Sequence, residues 1–534
     1  MQNDVLMAGV KAHTHQNCFK VREGNAMSMK INPTDLVVGV VGAGAMGQGI
    51  VQVSVQGGMT TFVHDAREGA AEQARDKIAG RLRRLVEKGR MSSEDCEAAI
   101  SRIKPCVSLE DMSGAGLVVE AIFENLDVKR SVFQALEDVV SQDCILTSNT
   151  SSIPIASIAS VCRQRDRIAG FHFFNPVPLM KLVEVIEAAD TSTATVDALM
   201  EIGRLMTRTP VHVKDSPGFL VNMGGSAFTT EGFTLHHEGV ARPAQIDAIM
   251  RDCHGFRMGP FELGDLTGID VNYPVRQIIY NGYNQDPRIK TTPEHKAMYD
   301  AGRYGRKTSA GWYDYATDEM QGFKPGDMIG RDAGDYHPSG APQPVALAID
   351  SKELRDLCAR LGLDVCDDDG QCPIVAAPIG DDATSTAIDL GVSHERLVCI
   401  DPLGSHDVRV VIMTAPGAHK RFGDGVAAAI VASGRVVTWI GDAHGFVGQR
   451  IVAMVANLGC YMAEIGLAST DDIDLAMKLG LNYPSGPLEF VEKFGASTIL
   501  QILDRAQAGT GSDRYRPTLW LRRRASLGLS IRVS

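Results

Sequence analysis

His172 and Glu184 stand twelve residues apart in GFHFFNPVPLMKLVEVIE (170–187). Each lies in an otherwise apolar run that reads as a strand, RIAGFHFF and KLVEVI. An isolated histidine there would be an ordinary buried one, and an isolated glutamate a strand-edge carboxylate. Taken together they suggest something else, because neighbouring strands bring such side chains within hydrogen-bond reach. An acid whose neighbours favour burial needs a partner. A carboxylate on one imidazole nitrogen fixes the tautomer and stabilises the imidazolium, leaving the other nitrogen as a base near neutral pH.

A second segment, GVVGAGAMGQG (39–49), supplies Gly42, Gly44 and Gly47 in the spacing GxGxxG, with Ala45 and Met46 between them. It follows the apolar run LVVGVVGAG and opens a helical pattern. In such a turn the first glycine permits the tight bend, the second lets backbone approach a pyrophosphate, and the third lets helix pack on sheet. Asp65 closes the next strand, 18 residues past Gly47, where a carboxylate binds ribose hydroxyls and repels a 2′-phosphate. NAD is therefore expected over NADP. The combined chemistry is loss of an alcohol proton to His172 and of a hydride to a nicotinamide.

These residues need a scaffold of parallel strands. Apolar runs alternating with amphipathic segments over 35–214 predict a Rossmann-type, doubly wound α/β domain. Residues 1–34 read as a disordered extension. Residues 215–316 read as an all-helical substrate or dimerisation domain, and 317–343, rich in Gly, Pro and Asp, as a linker. Strand patterning returns over 344–441 without a glycine turn after its first strand, a degenerate Rossmann-like domain. Residues 442–534 then repeat 215–316. A shift of 227 places Asp215 on Asp442, Gly218–Phe219 on Gly445–Phe446, Asp247 on Asp474, Gly259–Pro260 on Gly486–Pro487 and Glu262 on Glu489. The chain reads as a duplication.

With 534 residues, three or four domains are expected. A net charge of −12 argues against nucleic acid or an anionic membrane as partner. No run of about 20 apolar residues suggests a membrane span. The eleven cysteines form no CxxC pair and read as reduced thiols in a cytoplasmic protein. No metal site is expected.

GAGAMGQGI, VVEAIFENLDVK, SNTSS, GFHFFNPVPLMKLVEVI, KDSPGFLVN and GRKTSAGWYDY, in this order and spacing over about 36–316, resemble the short-chain L-3-hydroxyacyl-CoA dehydrogenase family. The later half resembles the double-length bacterial branch, associated with 3-hydroxybutyryl-CoA and 3-hydroxyadipyl-CoA. The resemblance implies NAD-dependent oxidation of an (S)-3-hydroxyacyl-CoA to the 3-ketoacyl-CoA, in β-oxidation or aromatic (phenylacetate) catabolism. It implies His172 as general base and Glu184 as its orienting partner, with Ser151 and Asn222 on the reacting oxygen. Glu124, Lys129, Ser151, Asn175 and Lys307 fall on cofactor-contact positions, and Lys88 and Arg81 on CoA-contact positions. Met223 departs from the arginine expected after Asn222. In the second copy Gln449 replaces Asn222, and neither a His–Glu pair nor a glycine turn is found, so no second active site is expected. A non-catalytic NAD- or CoA-binding relative is the alternative reading, favoured for the second half. The helical copies are expected to pack as a pseudo-dimer within one chain, and self-association of the whole chain is left open.

Overall fold

The computed structural model describes residues 31–315 and 335–533. Most of the 1–34 extension and of the 317–343 linker lies outside the described residues. Two compact units are formed: one runs to Thr150 and continues over Ile155–Pro210, and the other comprises Ser151–Pro154 and Val211–Ser534.

The larger sheet has strands β1 (Val37–Val41), β2 (Thr60–His64), β3 (Ile103–Pro105), β4 (Leu117–Glu120), β5 (Ile145–Ser148), β6 (Ile168–Phe173), β7 (Leu182–Glu187) and β8 (Thr209–Lys214). Their order in the sheet is β3-β2-β1-β4-β5-β6-β7-β8. The pairs among β1 to β6 are parallel, and β7 runs antiparallel to β6. β4, β5 and β6 are buried at every position, as expected of strands covered by helices on both faces. Helix α1 (Ala45–Gln56) follows β1, and α2 (Ala70–Glu87) follows β2. The apolar faces of both helices join Val38, Val40, Ile50 and Leu82 in one core.

The second unit holds two helical copies and a smaller sheet. That sheet has strands β9 (Ala346–Leu347), β10 (Ile374–Ala376), β11 (Leu397–Ile400), β12 (Arg409–Met413) and β13 (Val436–Ile440), adjacent in sequence order. Its one antiparallel step falls between β11 and β12. This reproduces β4 to β8, with its antiparallel step between β6 and β7. Among the described residues β1 to β3 have no counterpart, so the copy lacks the half of the fold that carries the glycine turn and Asp65.

The helical copies repeat down to their hydrogen bonds. Asp247 accepts from Phe261 N (3.0 Å) and Glu262 N (2.9 Å), capping the Pro260–Thr267 helix. Asp474, 227 residues on, accepts from Leu488 N (2.8 Å) to cap Pro487–Phe494. A Cβ at Gly259 would lie 2.1 Å from Asp247 Oδ1, and one at Gly486 2.2 Å from Asp474 Oδ1. Both glycines are therefore fixed by the close approach of the capping carboxylate. Glu262 closes the first cap by accepting from Gly259 N (3.0 Å), and Glu489 closes the second by accepting from Gly486 N (2.8 Å).

The Val221–His237 helix of the first copy packs along the Val447–Glu464 helix of the second. Gly224 and Gly225 allow Met477 and Leu481 to approach, since a Cβ would meet them at 2.4 and 2.9 Å. Glu231, wholly buried between the copies, accepts from Arg450 Nε (2.9 Å) and Arg514 Nε (2.6 Å). No helix among the described residues is long and apolar enough to cross a membrane.

Candidate active site

β6 and β7 place His172 directly opposite Glu184. Facing residues on one side of an antiparallel pair have Cβ atoms about 5 Å apart, within reach of an imidazole–carboxylate bond. Nδ1 of His172 lies 2.6 Å from Glu184 Oε2. His172 is 6% exposed and Glu184 0%, so the pair sits in a low-dielectric environment where the charge-assisted bond is strong. The Phe174 ring, centred 4.6 Å from the imidazole, walls one side.

The glycine turn has the shape a pyrophosphate requires. Gly42 has φ +109°, and a Cβ on it would lie 2.5 Å from the Ala121 carbonyl oxygen. A Cβ on Gly47 would lie 1.8 Å from the Gly42 carbonyl oxygen, so α1 can start this close to β1 only with glycine there. Around Gly44 there is open space, and no side chain caps the first turn of α1, where Ala45 and Met46 stand. The N–H groups of that turn form a cradle for an anion. At the end of β2, Asp65 accepts from Ala43 N (2.8 Å) and pairs with Arg67 (2.9 Å). The Arg67 guanidinium, with the backbone N–H groups, outweighs partial burial and holds the Asp65 carboxyl at about 2. It is ionised at neutral pH, as a ribose-binding carboxylate must be. These residues fit a dinucleotide.

Lys129 is 1% exposed, with its ammonium 2.7 Å from Glu120 and 3.4 Å from Glu124. Glu120, wholly buried, also accepts from Ser148 Oγ (2.6 Å) and Ile122 N (2.8 Å). Glu124 accepts from Thr150 Oγ1 at 2.5 Å. A buried lysine requires such counter-charges. The network ties the loop after β4 to the loop after β5, the SNTSS segment. Glu120 and Ser148 are missing from the sequence reading, although an acid inside the apolar strand LVVEA is the same signal that reveals Glu184.

In the second unit, Asn222 Nδ2 donates to the Ser151 carbonyl oxygen at 3.3 Å, so these two expected oxygen-binding residues are neighbours. Lys307 pairs with Asp270. In the first unit, Asn175 is exposed after β6, at a cis bond to Pro176. Arg81 donates to Gln48 Oε1 (2.7 Å), whose Nε2 donates to the Ala43 carbonyl oxygen (2.8 Å), linking α2 to the glycine turn. Lys88 is exposed at the C-terminal end of α2.

The duplicate presents different chemistry at the matching places. Strand register puts Asp401 where His172 stands and Val411 where Glu184 stands. Gln449, the counterpart of Asn222, donates to Asp401 Oδ1 (2.9 Å) and the Pro378 carbonyl oxygen (3.2 Å), and accepts from Gly380 N (2.8 Å). Its amide is committed to holding the loop after β10.

A dinucleotide cradle and a buried histidine–carboxylate pair on one doubly wound sheet define an NAD-binding oxidoreductase. The family model described as 3-hydroxyacyl-CoA dehydrogenase, NAD binding domain, matches residues 37–216. That described as 3-hydroxyacyl-CoA dehydrogenase, C-terminal domain, matches twice, at 218–315 and 445–532. The 3-hydroxyadipyl-CoA dehydrogenase of Escherichia coli K12 is 34% identical over 492 residues, 92% of this chain and 97% of that one. The 3-hydroxybutyryl-CoA dehydrogenase of Clostridioides difficile is 36% identical over 276 residues, 52% of this chain and 98% of its own length. A crystal structure of 3-hydroxybutyryl-CoA dehydrogenase from Escherichia coli K12 superposes with TM-score 0.79 at 32% identity, covering 92% of this chain and 98% of that one. The chain belongs to the 3-hydroxyacyl-CoA dehydrogenase family, and its cofactor is NAD.

Proposed function

We propose that this protein oxidises (S)-3-hydroxyacyl-CoA thioesters to 3-ketoacyl-CoA, with the His172–Glu184 pair as its general base. The observation that carries this is the 2.6 Å bond between two buried side chains facing each other across β6 and β7. Glu184 holds Nδ1, so Nε2 of His172 takes the hydroxyl proton, and the carboxylate stabilises the imidazolium that forms. Ser151 and Asn222 hydrogen-bond the reacting oxygen. Gly42, Gly44, Ala45, Met46, Gly47 and Asp65 hold the dinucleotide, with Glu124, Lys129, Ser151, Asn175 and Lys307 as further contacts. Arg81 and Lys88 serve the CoA phosphates. NAD, when bound, supplies the acceptor for the C3 hydride.

The domain layout we favour is the one read from the sequence: a dinucleotide domain to about 214, a helical domain to 316, and a shortened second copy of each after the linker. The buried Glu231 cluster supports an intrachain pseudo-dimer of helical domains. Unpaired cysteines throughout the described residues fit a cytoplasmic setting, with β-oxidation or aromatic catabolism as the pathway class. For the second half alone a non-catalytic role is favoured, because Gln449 is held by Asp401 and backbone.

The test is NADH consumption with acetoacetyl-CoA as the ketone substrate. Consumption is expected, and its absence alongside intact NADH binding would favour the non-catalytic alternative.

A further inference from the structure

The loop that leads into β10, CDDDGQC (366–372), carries a thiol at each end and three carboxylates between them. Both ends are tied to the neighbouring strand. Cys366 N donates to the Val345 carbonyl oxygen (2.9 Å), and Ala346 N donates to the Pro373 carbonyl oxygen (2.8 Å). The loop therefore returns to where it started, and the Cys366 side chain lies against that of Cys372. Cys372 is buried and Cys366 half-buried, and neither is in a disulfide.

The carboxylates are fixed by backbone and by one arginine. Asp369 Oδ1 accepts from Gln371 N (2.8 Å) and Cys372 N (3.1 Å). Asp368 Oδ1 accepts from Gly370 N (2.9 Å) and Arg396 Nη1 (2.7 Å), and its Oδ2 from Arg396 Nη2 (2.9 Å). A carboxylate oxygen has two lone pairs, so Asp368 Oδ2 keeps one to give. One oxygen of Asp368, one of Asp369 and Cys372 Sγ lie within 4.8 Å of one another. Tetrahedral zinc, with Zn–S about 2.3 Å and Zn–O about 2.0 Å, holds its ligand atoms about 3.3–3.8 Å apart. A small contraction of the loop closes such a shell.

The charges ask for a cation. Arg396 faces three consecutive aspartates, and Arg355, which also feels Asp367, is paired with Asp350 (2.5 Å). Arg396 and the Gly370 N–H hold the Asp368 carboxyl at about 2, and the Gln371 and Cys372 N–H groups lower that of Asp369. Both are ionised at neutral pH. Burial, the Cys372 thiol and the carboxylates of Asp369 and Asp367 push the Cys366 thiol up to about 11. A divalent cation at the centre turns this mutual repulsion into shared attraction and deprotonates the thiols it binds. Carboxylates alone would suit magnesium or calcium, whereas two sulfurs select a softer ion.

We infer that Cys366, Cys372, Asp368 and Asp369 form a binding site for a thiophilic divalent cation of the zinc class, which staples this loop to the second sheet. Binding exchanges two S–H bonds for two metal–sulfur bonds and releases two protons, with no change of oxidation state. Four protein ligands close the shell, which makes the role structural. The site is independent of the dehydrogenase chemistry. It is hidden in the sequence because five residues separate the cysteines, outside the usual metal-pair spacing.

Cobalt(II) stands in for zinc at such sites and reports sulfur ligands by a thiolate-to-metal charge-transfer absorption. The untagged full chain, reduced and freed of metal by a chelator, is titrated with cobalt(II). The band is expected to saturate at one equivalent and to be lost when zinc is added. Cys366→Ser, at a half-buried position, should lower the band, and Asp369→Asn should weaken zinc binding by at least about 10-fold. Calorimetry of zinc binding in buffers of different ionisation enthalpy should show two protons released per metal. No charge-transfer band in the native chain would overturn the inference. A band that Cys366→Ser leaves unchanged, or zinc binding without proton release, would overturn it equally.

Discussion

Glu231 and Arg514 are 283 positions apart in sequence and 2.6 Å apart in the fold. Glu231 belongs to the first helical copy and Arg514 to the second, and Arg450 completes the cluster at 2.8 Å. Burial pushes the Glu231 carboxyl up, but the two guanidiniums outweigh it and hold it below the usual range. A lowered carboxyl contributes stability above its unfolded pKa of about 4.5 and loses it as pH falls through the folded value. Glu231→Ala leaves the buried Arg514 without a counter-charge and Arg450 with Glu238 alone, which should cost about 3–5 kcal/mol. Urea unfolding should show a lower midpoint at an unchanged slope, and a loss below 1 kcal/mol would mean the cluster is not a major tie between the copies.

Ending the chain after Tyr315 removes Arg450, Arg514 and the Val447–Glu464 helix together. The Val221–His237 helix, buried along most of its length, then exposes an apolar face and an unpaired Glu231. The shortened protein is expected to dimerise or aggregate and to melt lower than the full chain. A soluble monomer of equal stability would contradict the pseudo-dimer.

His254 is buried with Nε2 unpartnered, pressed so close to the second copy that a Cβ on Gly448 would lie 1.9 Å from it. Burial, aided by Lys493, pushes its imidazole down to about 4 from 6.5. The unfolded chain therefore takes up a proton between pH 6.5 and 4 that the folded chain refuses, and stability falls as pH falls through that window. Each such group contributes about 1.4 kcal/mol per pH unit. Replacing His254 by Leu should flatten the pH dependence of unfolding by that amount, and identical slopes for the two proteins would contradict a neutral buried imidazole.

Asp65 is ionised and adjacent to Arg67, so both signs of charge lie at the end of β2. Asp65→Ser removes the ribose acceptor and releases the guanidinium. The preference for NADH over NADPH should fall by roughly 10- to 100-fold, the worth of one charged hydrogen-bonded contact. Fluorescence titration with the two coenzymes checks this, and an unchanged ratio would mean that Asp65 does not set the preference.

The features legible in sequence are those whose physics is local. Gly42 and Gly47 announce a turn because no other residue suits the φ of the first or the contacts of the second. His172 and Glu184 stand out because charge is rare inside apolar strands, and the Asp247–Asp474 repeat shows because caps need the same residues at the same spacing. Features that depend on what is missing are hidden. The strand pattern of 344–441 does not disclose that β9 corresponds to β4, so the lost half of the sheet reads only as a missing glycine turn. The ion pair of Lys129 with Glu120 becomes visible only in the fold.

The most direct test of the central claim is turnover of His172→Gln, which keeps a polar side chain opposite Glu184 and removes the base. Turnover of 3-hydroxyacyl-CoA should fall by roughly 10²–10⁴-fold, the usual contribution of a positioned general base, while NADH binding is retained. Turnover within a few-fold of the native protein would show that the imidazole is not the base.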